Sequence, residues 1–402
     1  MFNKDAYMIG CESSIIRELF EYSKNRKEIV GDNNVFDFSI GNPSVLPPKE
    51  LNNELINLLK NEPSTVHQYT SNLGDPYSRE CISNSIYNEF QYKALKDDIY
   101  LTCGAESALA ITIKALAEYE TNEFIVFAPY FPDYLVFIKN TNAKVVIVNP
   151  NKDFYPDLDD FKSKITKNTK GIILNSPNNP TGKVYNEELI KSIVSIIKDK
   201  EIEFNHPIYL ISDEPYRDII YDDLKHVFIP KYFNNTIITY SLSKTLSIPG
   251  ERIGYIQLSN DIEYKDELLS AIKGSAMMLG YIQAPSLLQK ALPKIIKLKV
   301  DINEYKENRD LLYSKLSEIG FKLIYPEGAF YMMLKCPIKD ENKFEELLKK
   351  NEIILVPSRS FGIDGYYRIA YCVKKEVIIN SIKNFKNLFD ECEEFLWKTS
   401  KN

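Results

Sequence analysis

The chain has 402 residues, of which 44% are hydrophobic and 26% charged, and its formal net charge is -6. This composition excludes a disordered or fibrous chain, and the negative net charge gives no general attraction to nucleic acid or to an anionic membrane. The length predicts two domains, or one large domain with a satellite.

The histidine and cysteine content argues against metal sites and disulfides. The three histidines are far apart, and the six cysteines form no C-x-x-C pair. Such cysteines are typical of reduced thiols, and we therefore expect a cytoplasmic protein. No signal peptide and no apolar run of about 18 residues is visible, so no membrane span is predicted.

The first elements in chain order are a helix, a strand and a second helix. The amphipathic segment SSIIRELFEYSKN, which starts at Ser13, predicts the first helix. The segment from Val35 to Pro43 predicts a strand that ends in a Gly-Asn-Pro turn, and Pro47 and Pro48 open the next helix.

Seven short β-branched runs follow, and most are too apolar to alternate. They are IYLT (99–102), FIVFA (124–128), KVVIV (144–148), GIILN (171–175), IYLIS (208–212), TIITY (236–240) and IGYIQ (253–257). Helical segments such as Asn186–Glu201 separate several of them. This pattern predicts a mostly parallel seven-stranded sheet, covered by helices on both faces, in a three-layer α/β/α domain.

The alternation of short strands and helices ends near residue 290. A long helical stretch from Ser286 to Ile319, with an expected interruption at Pro293, leads into short strands and a closing helix from Lys374 to Trp397. We predict a large domain over residues 46–290 and a smaller α+β domain over residues 291–402. The N-terminal segment, residues 1–45, is expected to pack with the smaller domain.

Polar residues are concentrated just after four strands, where parallel sheets hold their ligands. These segments are CGAES after IYLT, SPNNPTG after GIILN, DEPY after IYLIS, and SLSK with PGERIG after TIITY. Each alone has an ordinary explanation, namely a turn, a helix cap or a solvated lysine. Their joint appearance in order favours a functional site.

The motif set resembles the class I and II aminotransferases, which are fold-type I enzymes dependent on pyridoxal 5'-phosphate. The resemblance covers essentially the whole chain. Its motifs are Gly41 in SIGNP, Tyr69 and Gly74 in HQYTSNLG, CGAESAL, PYFPDY, NSPNNPTG, SDEPY, SLSK with Arg252, and Arg368 in YYRIAY.

The resemblance implies roles around the cofactor ring. Asp213 would stabilise the protonated ring nitrogen, Asn179 and Tyr216 would donate to the phenolate oxygen, and Phe131 would stack on the ring. Lys244 would form an imine with the cofactor and then carry the proton at the substrate α-carbon. The catalytic residues are thus expected to be Lys244, Asp213 and Tyr216.

The resemblance also implies a phosphate site. The expected donors are the backbone at Gly104, Ala105 and Glu106, the hydroxyls of Ser241 and Ser243, the Arg252 guanidinium, and Tyr69 from a second subunit. A homodimer is therefore expected. Many relatives have Ser or Thr where this chain has Ala105, so only the backbone share of binding is carried over there.

The substrate carboxylate would be held by Arg368, with Asn179 and the backbone near Gly41. Closure of the smaller domain is expected to exclude water. Arg17, Arg217 and Arg359 are candidates for binding an acidic substrate side chain. Three apolar residues could instead form a pocket for a larger side chain, and they are Met277, Met278 and Tyr281.

The activity that the resemblance implies is ping-pong transamination between an L-amino acid, aspartate-like, alanine or aromatic, and a 2-oxo acid. The same residues also suit β-elimination by a C–S lyase. A non-catalytic binding protein of this fold is disfavoured because Lys244 is intact. A nicotinamide dehydrogenase is disfavoured because no strand is followed by G-x-G-x-x-G.

Overall fold

A computed structural model of the chain describes residues 2–11 and 15–399. The chain forms two compact units. The larger unit comprises Val45–Asn178 and Lys183–Asp301. The smaller unit comprises the described residues of Met1–Ser44, Asn179–Gly182 and Ile302–Asn402.

The larger unit contains the predicted seven-stranded sheet. Its strands are β2 (Ile99–Thr102), β3 (Glu123–Phe127), β4 (Lys144–Val148), β5 (Thr169–Asn175), β6 (Tyr209–Asp213), β7 (Thr236–Ser241) and β8 (Gly254–Leu258), numbered after β1 (Phe36–Asp37) of the smaller unit. Their order across the sheet is β2-β8-β7-β6-β5-β3-β4. Pairing is parallel from β7 through β6, β5 and β3 to β4, and β8 is antiparallel to both of its neighbours.

Helices cover both faces of this sheet. They are α3 (Lys49–Asn61), α4 (Pro76–Phe90), α5 (Gly104–Leu116), α6 (Asp133–Lys139), α7 (Leu158–Lys164), α8 (Glu187–Phe204), α9 (Leu242–Thr245), α10 (Lys265–Leu279) and α11 (Ser286–Ile295). On one face Phe161 of α7 and Ile193 of α8 pack with Ile172 of β5. The adjacent residues Ile173 and Ile211, which point to the other face, are also buried, and α5 contacts β7 and β8. The predicted three-layer arrangement is confirmed.

The antiparallel direction of β8 determines which residues meet at the ligand edge of the sheet. Gly254, the first residue of β8, pairs with Thr102 at the end of β2 and with Ser241 at the end of β7. The segment just before β8 therefore lies at the same edge as the segments just after β2 and β7. This register brings Arg252 to the edge where α5 and α9 begin.

The smaller unit is built from two sheets and five helices. Its helices are α1 (Lys4–Cys11), α2 (Ile15–Val30), α12 (Asn303–Ile319), α13 (Glu341–Lys350) and α14 (Lys375–Thr399). Its other strands are β9 (Leu323–Ile324), β10 (Tyr331–Lys335), β11 (Ile353–Ile354), β12 (Val356–Pro357) and β13 (Tyr366–Ala370). β1 pairs with β11, and the antiparallel four-stranded sheet has the order β12-β13-β10-β9. Ser13 and Ser14 of the predicted first helix lie outside the described residues.

The prediction that Pro293 interrupts a helix is wrong. α11 continues through Pro293 to Ile295, and the break falls at residues 296–302 instead. A proline leaves the carbonyl four residues earlier without its helical donor. Here that carbonyl, on Gln289, accepts a hydrogen bond of 2.5 Å from the Ser78 hydroxyl, so the helix loses little by containing the proline.

Candidate active site

Asp213 is a buried carboxylate at the end of β6. Its Oδ2 accepts a hydrogen bond of 2.6 Å from the Tyr134 hydroxyl, and its Oδ1 accepts one of 3.2 Å from Thr239. The amide of Asn175, at the end of the neighbouring β5, donates to the Asp213 backbone carbonyl at 2.9 Å. The side chain is thus held by residues of α6 and β7, and the backbone by a residue of β5.

The proton affinity of Asp213 is raised by its surroundings. Burial, which disfavours the charged form, raises the pKa of Asp213 from its ordinary value of 3.8 to about 7. The hydrogen bonds from Tyr134 and Thr239 act in the opposite direction, because they stabilise the carboxylate. A bound cation or protonated ring nitrogen beside this carboxyl would lower its pKa, so the site favours a positively charged partner.

Tyr134→Phe should extend the pH range over which the cofactor-free protein loses stability. The folded state keeps the Asp213 proton up to about pH 7, whereas the unfolded chain releases it near pH 3.8. Stability conferred through this group therefore falls as the pH rises between these values. Removing the Tyr134 donor raises the folded-state pKa of Asp213 further, so we expect the fall to continue above pH 7.

This prediction is checked by thermal unfolding midpoints of the cofactor-free protein between pH 5 and 8.5. Asp213→Asn provides the curve without this titration, and Tyr87→Phe changes an exposed tyrosine of α4 as a control. Superimposable curves for Tyr134→Phe and the unsubstituted protein would contradict the expectation.

A cradle for an anion lies where α5 begins. Gly104, the first residue of α5, has a φ of +82°, and a Cβ added there would lie 3.0 Å from Nη2 of Arg252. Arg252 Nη1 donates to the Pro249 carbonyl and Nη2 to the Glu106 carboxylate, each at 3.0 Å. A Cβ at Gly254 would likewise meet the Gly104 backbone at 3.0 Å. Because neither glycine has a Cβ, the guanidinium and the first N–H groups of α5 can lie close together. A phosphate site requires such a group of donors.

Lys244 lies in α9, and this helix begins at the same edge of the sheet as the cradle. Ser241, which ends β7, and Ser243 are buried, and Lys244 is half-buried. The four-residue helix α9 begins directly after β7, and Lys244 is its third residue. The serine hydroxyls predicted to bind the phosphate and the lysine predicted to anchor the cofactor thus lie on one short segment.

The other predicted ring contacts also belong to the larger unit. Tyr216 is buried in the turns after β6, and the half-buried Phe131 makes an edge contact with Tyr134, with ring centroids 5.6 Å apart. Tyr69, by contrast, is 98% exposed. An aromatic side chain with that exposure makes little contact within its own chain.

The smaller unit holds the predicted carboxylate clamp. Arg368 of β13 is buried, and its guanidinium lies over the Tyr331 ring at 4.5 Å and over the Phe361 ring at 4.9 Å. Nη1 donates to Oδ1 of Asn179 at 3.0 Å and Nη2 to the Ser39 carbonyl at 2.6 Å. The two rings and two acceptors fix the plane of the guanidinium, which suits bidentate carboxylate binding.

Gly41 is adjacent to the same group of residues. A Cβ at this position would overlap the Tyr331 hydroxyl, so any other residue would displace either the backbone or the tyrosine. The structure thus brings Gly41 to the tyrosine that packs under Arg368. This close approach explains why a glycine is needed here.

The arginines considered for an acidic substrate side chain are placed differently. Arg217 is buried and contacts the Glu214 carboxylate at 3.3 Å and the Tyr240 ring at 3.7 Å. Arg359 is exposed and forms an ion pair with Glu345. Arg17 is exposed on α2. Arg217 and Arg359 are thus each engaged with a glutamate of the chain, and contact of these arginines with a substrate stays a prediction.

Sequence reasoning missed several residues that contact the predicted site residues. Tyr134 and Thr239 orient Asp213, and Tyr331 and Phe361 pack against Arg368. Only Asn175, the last residue of an apolar strand, carried a usable signal, since polar residues at strand ends are the expected ligands in such sheets.

Comparisons with known proteins agree with this geometry. The family model described as "Aminotransferase class I and II" matches residues 33–384. A probable aspartate aminotransferase of Methanocaldococcus jannaschii is 31% identical over 94% of this chain and 97% of its own. A glutamate-pyruvate aminotransferase of Escherichia coli is 28% identical over 88% and 90%. The crystal structure of an aminotransferase from Eubacterium rectale is 43% identical, covers 97% and 99%, and has a TM-score of 0.94.

The fold and the matched family define a pyridoxal phosphate-dependent transferase of amino groups. The chain belongs to the class I and II aminotransferase family. The residues present fit the cofactor of that family, because the chain offers an anion cradle at Gly104 and Arg252, a buried carboxyl at Asp213 at the end of β6, and a lysine in the helix that follows the neighbouring strand β7. When bound, pyridoxal phosphate supplies an electron sink and an aldehyde.

Two further properties concern the part of the chain that the structure describes. Within residues 2–11 and 15–399, no helix has the length and apolar character needed to cross a membrane. Among these same residues, no cluster of three or more His, Cys, Asp or Glu side chains could hold a metal ion.

Proposed function

We propose that this aminotransferase uses an L-amino acid of the aspartate, alanine or aromatic class and a 2-oxo acid, with the residue roles given below. The observation that carries the proposal is the pair formed by Arg368 and Asn179, because a planar, buried guanidinium is suited to an α-carboxylate. Asn179 accepts from Arg368 through Oδ1, so its NH₂ group is the donor that it would offer to the cofactor oxygen.

Four residues of the larger unit act on the proton and on the cofactor. Lys244 holds the cofactor covalently and, once released, moves the proton at the substrate α-carbon as a neutral amine. Asp213 holds the ring nitrogen in its protonated form. Tyr216 donates to the cofactor oxygen, and Phe131 stacks on the ring.

The phosphate is held by two kinds of donor. The backbone N–H groups at Gly104, Ala105 and Glu106 bind it at the start of α5. The charged and hydroxyl donors are Ser241, Ser243 and Arg252. Support comes from the register that brings Gly254, Thr102 and Ser241 to one edge of the sheet.

Arg368→Lys should raise the KM for the amino acid by about 10²-fold and lower kcat less. Lysine keeps the positive charge but cannot form two parallel hydrogen bonds with a carboxylate or stack between Tyr331 and Phe361. Steady-state kinetics at several amino-acid concentrations measure both constants. Lys335→Gln serves as the control, because it removes one exposed cation from β10, the strand beside β13, without touching the proposed clamp. An unchanged KM in Arg368→Lys would remove the clamp from the proposal.

The amino-acid preference is tested with a panel of single amino acids. The names of the relatives support aspartate as donor and pyruvate as acceptor. Because Arg217 and Arg359 are engaged with glutamates, we propose that an acidic side chain would depend on Arg17 or on a second subunit. Purified enzyme with pyridoxal phosphate is mixed with aspartate, alanine or tyrosine, and the visible spectrum is recorded. If none of the panel alters the spectrum, the proposed substrate class is wrong.

The same panel distinguishes β-elimination from transamination. A C–S lyase would release pyruvate and ammonia from a cysteine conjugate without any oxo-acid acceptor. A transaminase stops after one turnover until an acceptor is added. Continuous pyruvate release would therefore replace the proposal with the lyase.

We also propose that the enzyme is a cytoplasmic homodimer in which Tyr69 reaches the phosphate site of the second subunit. The 98% exposure of Tyr69 and the six free cysteines support these two points. Sedimentation equilibrium measures the assembly directly. A monomer at working enzyme concentration would contradict both the dimer and the Tyr69 contact, and it would leave the roles proposed for Lys244 and Asp213 unaffected.

A further inference from the structure

A buried carboxylate in the larger unit has no place in the roles described so far. The Asp218 side chain is 4% exposed, and it lies in the segment that follows β6 and Asp213. Its Oδ2 accepts hydrogen bonds from the Tyr240 hydroxyl at 2.7 Å and from the Thr245 hydroxyl at 2.9 Å. Its Oδ1 lies 2.5 Å from the Lys299 ammonium.

These contacts converge on the residue next to Lys244. The Thr245 hydroxyl is also 2.8 Å from the Tyr240 hydroxyl, and the Thr245 carbonyl accepts a hydrogen bond of 2.9 Å from the Val300 N–H. Thr245 is thus fixed through both its side chain and its backbone. The groups that fix it come from three separate segments of the larger unit.

The short helix α9 needs such support. A four-residue helix contains a single turn, and one turn has too few hydrogen bonds to be stable by itself. Its internal bond joins the Leu246 N–H to the Leu242 carbonyl at 3.0 Å. The rotation of this turn determines the direction in which the Lys244 side chain leaves the backbone.

The charges around Asp218 keep it ionised. The nearby Arg217 guanidinium and the Lys299 ammonium lower the pKa of Asp218, against the effect of burial, which raises it. A carboxylate that stays charged accepts both hydroxyl hydrogen bonds at once. It therefore remains a fixed acceptor over the pH range in which a lysine amine is useful for proton transfer.

We propose that Asp218 and Thr245 are positioning residues for Lys244, an inference that rests on the role proposed for that lysine. The Asp218 carboxylate fixes Thr245, and Thr245 fixes the single turn of α9. Lys244 then meets the α-carbon proton in one geometry. Because misplacing a reacting group by about 1 Å can cost about 10²-fold in rate, loss of this support should slow the proton-transfer step.

The test compares Thr245→Val with Thr245→Ser. Valine has the shape of threonine without the hydroxyl, whereas serine keeps the hydroxyl. We expect Thr245→Val to lower kcat about 10- to 100-fold with KM for the amino acid changed less than about 3-fold. Thr245→Ser should restore most of kcat. Thr121→Val, at an exposed threonine, is the control.

Two readouts on the cofactor-free protein accompany the kinetics. Hydrogen–deuterium exchange of the peptide containing residues 242–248 should be faster in Thr245→Val than in the unsubstituted protein. The rate at which Lys244 becomes covalently attached after addition of pyridoxal phosphate should fall. Asp218→Asn should show both effects, and Thr245→Val in the Asp218→Asn background should add little, because the two residues act through one contact.

The possible outcomes separate this inference from the proposed function. Faster exchange with kcat, KM and the attachment rate unchanged would show a purely structural contact and overturn the inference. Failure of Thr245→Ser to restore kcat would also overturn it, since the hydroxyl would then not be the relevant group. Normal turnover in Lys244→Ala would instead contradict the role of Lys244 itself.

Discussion

Lys244→Ala is expected to lose covalent attachment of pyridoxal phosphate and to transfer amino groups at least about 10²–10⁴-fold more slowly. The substitution removes the amine proposed to move the α-carbon proton, and general acid–base catalysis by a positioned side chain contributes about this much. The proposed phosphate donors at Arg252, Ser241 and the start of α5 are untouched. The variant should therefore still bind the cofactor without a covalent bond.

Intact-protein mass spectrometry after borohydride treatment measures the attachment, and single-turnover kinetics measure the transfer. Lys225→Ala, which changes an exposed lysine of the larger unit, should behave like the unsubstituted enzyme. A Lys244→Ala protein that turns over normally, or whose cofactor is still reduced onto the chain, would rule out the assigned role.

Asp213→Asn should reduce the rate of the first half-reaction by about 10²–10³-fold at saturating cofactor, or about 3–4 kcal/mol. The amide has nearly the shape of the carboxylate, and its oxygen can still accept from Tyr134. What it lacks is the negative charge that stabilises a protonated ring nitrogen. We therefore expect a large loss of rate with a smaller loss of cofactor affinity.

The rate is measured by stopped-flow absorbance and the cofactor affinity by fluorescence titration. Asp261→Asn, at an exposed aspartate after β8, controls for the removal of one negative charge. A rate within about 5-fold of the unsubstituted enzyme would mean that the charge of Asp213 is not used in catalysis, since one lost charge contact of this kind costs about 10²-fold or more.

The sheet was predictable because most of its strands are buried on both faces and so have nearly continuous apolar sequences. All seven runs are strands of one sheet, with ends shifted by no more than a few residues. Asp213 could be located because it directly follows such a run, and Lys244 because it closes the polar segment SLSK after the next run. The apolar runs do not specify the register of the sheet, however, and this register decides how deeply the two residues are buried and which side chains surround them.

Residues that come from other elements were not predictable. Tyr331 lies on β10, and nothing in its local sequence indicates that it contacts Arg368. Tyr134 closes the motif PYFPDY, but the motif does not indicate that its hydroxyl contacts Asp213. At Pro293, by contrast, the local sequence predicted a helix break that the fold does not have. The effect of this proline on α11 depends on Ser78, a residue of α4 that satisfies the exposed carbonyl and that only the fold brings there.

The ion pair between Lys299 and Asp218 has a consequence for dissecting the protein into fragments. The sequence pattern predicts that the larger unit ends at residue 290. A fragment that ends there would lack Lys299 and Val300. It would leave the buried Asp218 carboxylate without its ammonium partner, and losing the partner of a buried charge destabilises the fold. An independently expressed fragment should therefore extend from Val45 through Asp301, so that the ion pair and the Val300 hydrogen bond are retained.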